Sequence, residues 1–143
     1  EAYNTVAYCL GMCDRKIVLD AISIDTMTEI YTAATGIQTS ANDLLRAGMR
    51  IWNMEKAWVA LQGQSREDDY PPHRFFKEEA KTLGGDHPPL TMDFFEPILD
   101  RYYRAHGWDI KTGIPKEETL ESLDLDWIAK DLMERFPLEN VSH

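Results

Sequence analysis

The sequence predicts an all-α fold, an irregular helical domain of about five to seven helices joined by long connecting loops. Three observations lead there. Apolar residues recur at spacings of three and four in several stretches. Those stretches open on Ser, Thr or Asp and close on Gly, the ordinary start and stop signals of helices. No run alternates apolar and polar residues with the period of two that a half-buried strand requires.

The elements follow in chain order. Asn4 to Met12 lacks Pro and suits a helix closing around Gly11. The run Lys16-Ile17-Val18-Leu19 suits a buried turn or a short helix. Asp25 is placed to cap a helix that carries Met27, Ile30, Tyr31 and Ala34 and ends at Gly36. Thr39 or Ser40 caps the longest helix, with Asp43 in its first turn and Gly63 as its stop. Its apolar pairs Leu44-Leu45, Ile51-Trp52 and Trp58-Val59 recur every seven residues and so form one stripe. Gly48 lies on that stripe. Its missing side chain lets another helix approach, against a helix-propensity cost of about 1 kcal/mol.

From Gln64 to Pro89 the composition turns to Pro, Gly and charge, and this segment reads as a long irregular connection with a short helix around Phe76 to Leu83. Thr91 caps a helix bearing Phe94, Phe95, Ile98, Leu99, Tyr102 and Tyr103, with Gly107 as its terminator. Pro97 either kinks it or marks its true first turn. Short helices near Lys116 to Ser122 and Asp126 to Phe136 complete the chain.

With 143 residues, the chain can bury one substantial core. It begins at Glu1 without Met, and the expectation is a single C-terminal helical domain, residues 1–143, excised from a larger soluble protein. A formal charge of −10, spread along the chain, disfavours nucleic acid and anionic lipid as partners. No apolar run is long enough to span a bilayer. Two cysteines four residues apart make no disulfide framework, so a reducing cytoplasm is the expected compartment.

Few residues suggest chemistry on their own. Cys9 and Cys13 would share one face of a helix, and sulfur is a soft ligand for zinc or iron–sulfur sites. Such sites usually need four ligands, so the competing reading is two small core residues. The four histidines have no ligand spacing. Arg66-Glu67-Asp68-Asp69 suits a solvated loop or an Arg–carboxylate latch better than an acidic metal site. Arg74 with Asp68 or Asp69 is expected to latch the long connection, and Trp108 to anchor its loop in the core. The aromatics Phe94, Phe95, Tyr102 and Tyr103 read as core.

Three stretches, in order and covering nearly the whole chain, resemble the C-terminal domain of the aldehyde ferredoxin oxidoreductase family. Cys9-Leu10-Gly11-Met12-Cys13 is similar to the family's Asp-Ser-Leu-Gly-Leu-Cys element. Gly48 to Lys56, followed by Asp68-Asp69-Tyr70-Pro71-Pro72-His73-Arg74-Phe75, is similar to its long helix and Asp-Asp-x-Leu-Pro-x-Arg loop. Tyr102-Tyr103, Gly107-Trp108-Asp109 and Thr112-Gly113-Ile114-Pro115, running on to Leu120, Leu123 and Leu125, form the third and most specific match.

The resemblance implies a parent enzyme with a tungsten- or molybdenum-bis-pyranopterin and a [4Fe-4S] cluster. It would oxidise aldehydes to carboxylic acids and pass electrons to ferredoxin or another redox partner. Three cluster cysteines of the family come from an earlier element; the fourth matches Cys13, which is therefore the expected metal ligand here. Tyr8, Gly11 and Met12 are the expected cofactor-binding positions, and Cys9, which matches a Ser, is structural. The family's acid–base residues lie upstream, so no catalytic residue is assigned to this chain. Tyr8 stands where the family has a pterin-contacting Asp. That departure keeps two alternatives open: a relative reducing another substrate, such as an aromatic acyl-CoA, and a non-catalytic scaffold or interaction domain. The isolated domain is expected to bind no cofactor, to be inactive, and to self-associate through surfaces that the remaining domains of the parent chain would cover.

Overall fold

The computed structural model describes residues 1–13 and 21–136, and it is predominantly helical. Six helices are found among these residues: α1 (Ala2–Cys9), α2 (Ile24–Thr35), α3 (Ala41–Leu61), α4 (Met92–His106), α5 (Glu117–Ser122) and α6 (Asp126–Arg135). The expected turn at Lys16 to Leu19 lies outside the described residues.

Helix α3 is the spine. Ser40 and Asp43 close a reciprocal capping box at its start: Ser40 Oγ accepts from the Asp43 amide at 3.2 Å, and Asp43 accepts from the Ser40 amide at 2.9 Å. Helices α1, α2 and α6 pack against it. Gly48 is where α1 crosses. A Cβ built there would stand 2.8 Å from the Ala2 carbonyl carbon and 2.9 Å from Val6 Cγ2, so only glycine allows this approach.

Three apolar clusters share the spine. Val6, Ala7, Met27 and Leu44 join α1, α2 and the start of α3. Ala57 and Ala60 meet Ile114, Leu120, Leu123, Leu125, Ile128 and Leu132 at its far end. Leu99, Tyr103 and Trp108 form the third, with Trp52 and Phe95 against it.

Several boundaries differ from expectation. Ser23, not Asp25, caps α2: its hydroxyl accepts from the Thr26 amide at 3.1 Å, and Asp25 sits in the first turn. Pro97 lies inside α4 rather than at its first turn, and the Thr91 side chain makes no capping bond. The long connection contains no helix from Phe76 to Leu83. It carries two 3₁₀ turns, Arg66–Asp69 and His73–Phe76, and then an exposed antiparallel hairpin, β1 (Ala80–Thr82) and β2 (Gly85–His87), with Ala80 opposite His87. The adjacent Gly84-Gly85 pair is the reason. A chain reversal with Gly85 at φ +128° is open to glycine, and three-residue strands are too short to show alternation.

Candidate functional site

The end of α1 is built by a glycine stop. Gly11 has φ +69°; its amide donates to the Tyr8 carbonyl at 3.0 Å, and the Met12 amide reaches back to Ala7 at 2.9 Å. This pair of bonds is the Schellman closure, which satisfies the last carbonyls of a helix and turns the chain away. Met12 packs onto the Val6–Ala7 cluster, as the residue after such a stop commonly does. Cys13 is thereby carried past the helix and exposed. The two thiols do not lie on one helical face, because α1 ends at Cys9. Cys9 is also exposed, so reading the pair as small core residues is wrong.

Three of the four expected site positions, Tyr8, Gly11 and Cys13, thus form one short, exposed rim, with Met12 half-buried against the core. Tyr8 is 61% exposed, and a Cβ on Gly11 would meet nothing within 4 Å. The donor set tests what metal chemistry this rim could serve. Among the described residues no three His, Cys, Asp or Glu side chains converge as a metal site. A lone thiol of this kind among the described residues has the chemistry of one soft donor to a cluster completed from elsewhere.

A second arrangement, which sequence reasoning did not find, lies between α3 and α4. Lys56 Nζ donates to Asp69 Oδ2 at 2.7 Å, and the Tyr103 hydroxyl donates to the same oxygen at 2.5 Å. Burial and this carboxylate together push the Tyr103 phenol well above its ordinary pKa. Arg66 holds the segment from the other side. It donates to Glu96, Asp100 and the Ile110 carbonyl, and the Tyr70 hydroxyl also donates to Glu96. The Arg–carboxylate latch expected of the Arg66 run is present, but through Glu96 and Asp100. Arg74 pairs instead with Glu78 on the surface and Asp68 accepts from the Ser65 amide, so of the two aspartates expected to latch the connection it is Asp69 that does so, through Lys56 and Tyr103 rather than Arg74.

Above this network is an open cleft of about 570 Å³, walled by Trp52, Lys56, Val59, Phe95, Ile98 and Tyr102, with Trp108 and Asp69 also on its lining. A smaller depression of about 300 Å³ shares Trp52 and Glu55 with it and extends to Tyr8 and Cys9. Of the aromatics expected in the core, Tyr103 is fully buried, Phe95 and Tyr102 are half-buried, and Phe94 is 61% exposed. The available sequence signal was the spacing of Trp52, Lys56 and Val59 along one face of α3. What was hidden is that Asp69, from the long connection, reaches Lys56.

Comparison with known proteins gives the family. Residues 1–125 match the family described as aldehyde ferredoxin oxidoreductase, domains 2 and 3. The chain is 33% identical over 105 residues to a tungsten-containing aldehyde ferredoxin oxidoreductase of Pyrococcus furiosus, covering 73% of this chain and 17% of the relative. The corresponding protein of Pyrococcus horikoshii is 33% identical over 106 residues, with the same coverage. Among solved structures, the active site complex BamBC of benzoyl coenzyme A reductase, in complex with 1,5-dienoyl-CoA, superposes with a TM-score of 0.69 at 25% identity. That match covers 83% of this chain and 16% of the other. The chain spans about one sixth of the length of these relatives. With its motifs in the family's order and its first 125 residues matched, the chain belongs to the aldehyde ferredoxin oxidoreductase family of tungsten oxidoreductases.

Proposed function

We propose that this chain is one helical domain of a longer tungsten- or molybdenum-pterin oxidoreductase, to which it contributes Cys13 as one ligand of a [4Fe-4S] cluster. The observation that carries this reading is the exposed Cys13 thiol, delivered by the closed end of α1 within the family-matched region. When bound, the cluster would supply one-electron transfer between the pterin-held metal and an external acceptor.

The chain's own residues perform the positioning. Gly11 turns the backbone so that the thiol leaves the helix, and Met12 pins the turn to the core. Gly48 lets α1 sit close to α3, which fixes the height of the whole rim. Tyr8 would be the residue that faces the pterin, at the position where the family element it resembles has an Asp. The expected reaction is oxidation of an aldehyde to a carboxylic acid with ferredoxin as acceptor. The other domains of the longer protein provide the catalytic residues, and the chain alone turns over no substrate. Two exposed, unpaired thiols suit a reducing cytoplasm. Among the described residues no helix is long and apolar enough to cross a membrane.

A second reading has specific support. The likeness to the benzoyl coenzyme A reductase complex and the Tyr8 departure favour a reductase acting on an aromatic acyl-CoA. The two are separated by assaying the anaerobically purified holoenzyme with aldehydes and with aromatic acyl-CoA thioesters.

The primary test is metal content. The proposal expects about four iron and one tungsten or molybdenum per chain. Cys13→Ala should lower the iron and change the visible spectrum, while Cys9→Ala leaves both intact. Unchanged iron in Cys13→Ala would overturn the ligand assignment, and a folded, metal-free protein would favour a scaffold.

A further inference from the structure

We infer that the hairpin arm β1–β2 is a docking strand: its outer β1 edge and its Leu83 tip receive an extended segment from another domain of the longer parent chain, apolar beside Leu83 and acidic beside Lys81. The inference rests on the reading of this chain as one domain of a longer protein, and it is independent of whether Cys13 holds a cluster.

The arm has a set shape but buries nothing of its own. It leaves the body at Phe75 and returns at Leu90, where the Leu90 amide donates to the Phe75 carbonyl at 2.8 Å and closes the base. Every residue from 77 to 88 is exposed, and Leu83 at the tip is wholly so. The turn is nonetheless bonded into one form: Thr82 Oγ1 accepts from the Gly84 amide at 3.2 Å and donates to the Gly85 carbonyl at 2.9 Å. Fixing the backbone costs conformational entropy at each residue. An isolated two-stranded hairpin is marginal in water, and these strands are only three residues long. Inside this chain the arm has no apolar contact to offset that cost, so a surface from outside supplies it.

The two edges of the hairpin differ. β2 runs straight into Pro88 and Pro89, which have no N–H to donate, so its outer edge is blunted. β1 is flanked by Glu79 and Leu83, whose N–H groups are intact, and no third strand pairs with it among the described residues. Addition of a strand to such an edge is a recurring way of holding an extended segment. Lys81, in the middle of β1, forms no ion pair among the described residues, which calls for an acidic neighbour. It also disfavours a second copy as the occupant, because full antiparallel overlap of β1 with itself sets Lys81 against Lys81. The parent chain is the available source. The arm lies within the family-matched residues 1–125, and this chain covers only 17% of a relative's length, so most of the polypeptide lies outside it.

The test uses the full-length, anaerobically purified holoenzyme. In hydrogen–deuterium exchange read by mass spectrometry, peptides covering Ala80 to Leu83 should exchange about a hundred-fold more slowly than an unstructured chain, and dilution should not change this. Leu83→Asp should return the arm to fast exchange while peptides of α3 stay protected. As a second measurement, p-benzoylphenylalanine placed at position 83 should photo-crosslink to a peptide of the same polypeptide outside residues 1–143. Unprotected arm amides, protection that disappears on dilution, a crosslink joining two copies, or arm protection unchanged in Leu83→Asp would overturn the assignment. A purified protein no longer than this chain would overturn the reading beneath it as well, and its mass distinguishes that failure from a long protein with a bare arm.

Discussion

Trp108 donates its indole N–H to Asn53 Oδ1 at 2.8 Å, across 55 residues of sequence and with both side chains buried. Asn53 in turn donates to the Met49 carbonyl one turn back at 2.9 Å, so the loop after α4 is bonded to the middle of the spine helix. Asn53→Leu would keep the volume but leave the indole N–H without a partner. Urea denaturation should show a loss of about 1–3 kcal/mol. Trp108→Phe should cost as much or more, because it also opens a cavity. The double variant should lose less than the sum of the two. Strict additivity would show that the bond itself contributes nothing.

Gly48→Ala tests the crossing of α1 over α3. In an isolated helix this change gains about 1 kcal/mol. Here the new methyl meets Ala2 backbone atoms and Val6, so α1 must shift, and overpacking of this kind costs about 1–3 kcal/mol. The net expectation is a lower melting temperature. The shift should also change the rate at which Cys13 reacts with a small alkylating reagent, because α1 carries that thiol. A raised melting temperature would mean that the helix contact yields freely.

That glycine was legible in the sequence, as were the spine helix, its Ser40–Asp43 cap and the stops at Gly36 and Gly107, because each depends on neighbours within a few residues. The clustering of Tyr8, Gly11, Met12 and Cys13 was legible for the same reason. The cleft was not. It exists because Asp69 and Arg66, in the irregular connection, cross to Lys56 on α3 and to Glu96 and Asp100 on α4. Pairings between a loop and two helices leave no periodic trace. The hairpin at Ala80–His87 escaped because its strands are too short to alternate. Cys9 was misplaced because a thiol's usual burial says nothing about which side of α1 faces Leu44 and Met27.

The Arg66 latch should be sensitive to acid. Hydrogen bonds from Tyr70 and Arg66 hold the Glu96 carboxyl below its ordinary pKa. A depressed carboxylate binds fewer protons in the folded state than in the unfolded one, so its contribution is complete above the ordinary glutamate range, about pH 4. It is lost as pH falls through the folded value. Thermal melts between neutral pH and acid should therefore show a shallower stability loss for Glu96→Gln than for the parent, with the difference confined to the acid side. Parallel curves would remove Glu96 from the acid transition.

Tyr103 sets the opposite limit. Burial and the bond to Asp69 raise its phenol pKa, so the folded protein keeps a proton that the unfolded chain gives up at about pH 10. A group raised in the folded state contributes stability that is complete below the unfolded value and is lost as pH rises through the folded one. Tyrosinate absorbance in an alkaline titration should accordingly rise in two phases, with Tyr103 in the later one, together with the comparably raised Tyr102. Tyr103→Phe should remove one ionisation from the late phase and cost about 0.5–1.5 kcal/mol at neutral pH through the lost hydrogen bond. It leaves the Lys56 bond to Asp69 Oδ2 in place. A late phase of the same amplitude in Tyr103→Phe would mean that the Tyr103 phenol is reached by hydroxide in the folded state.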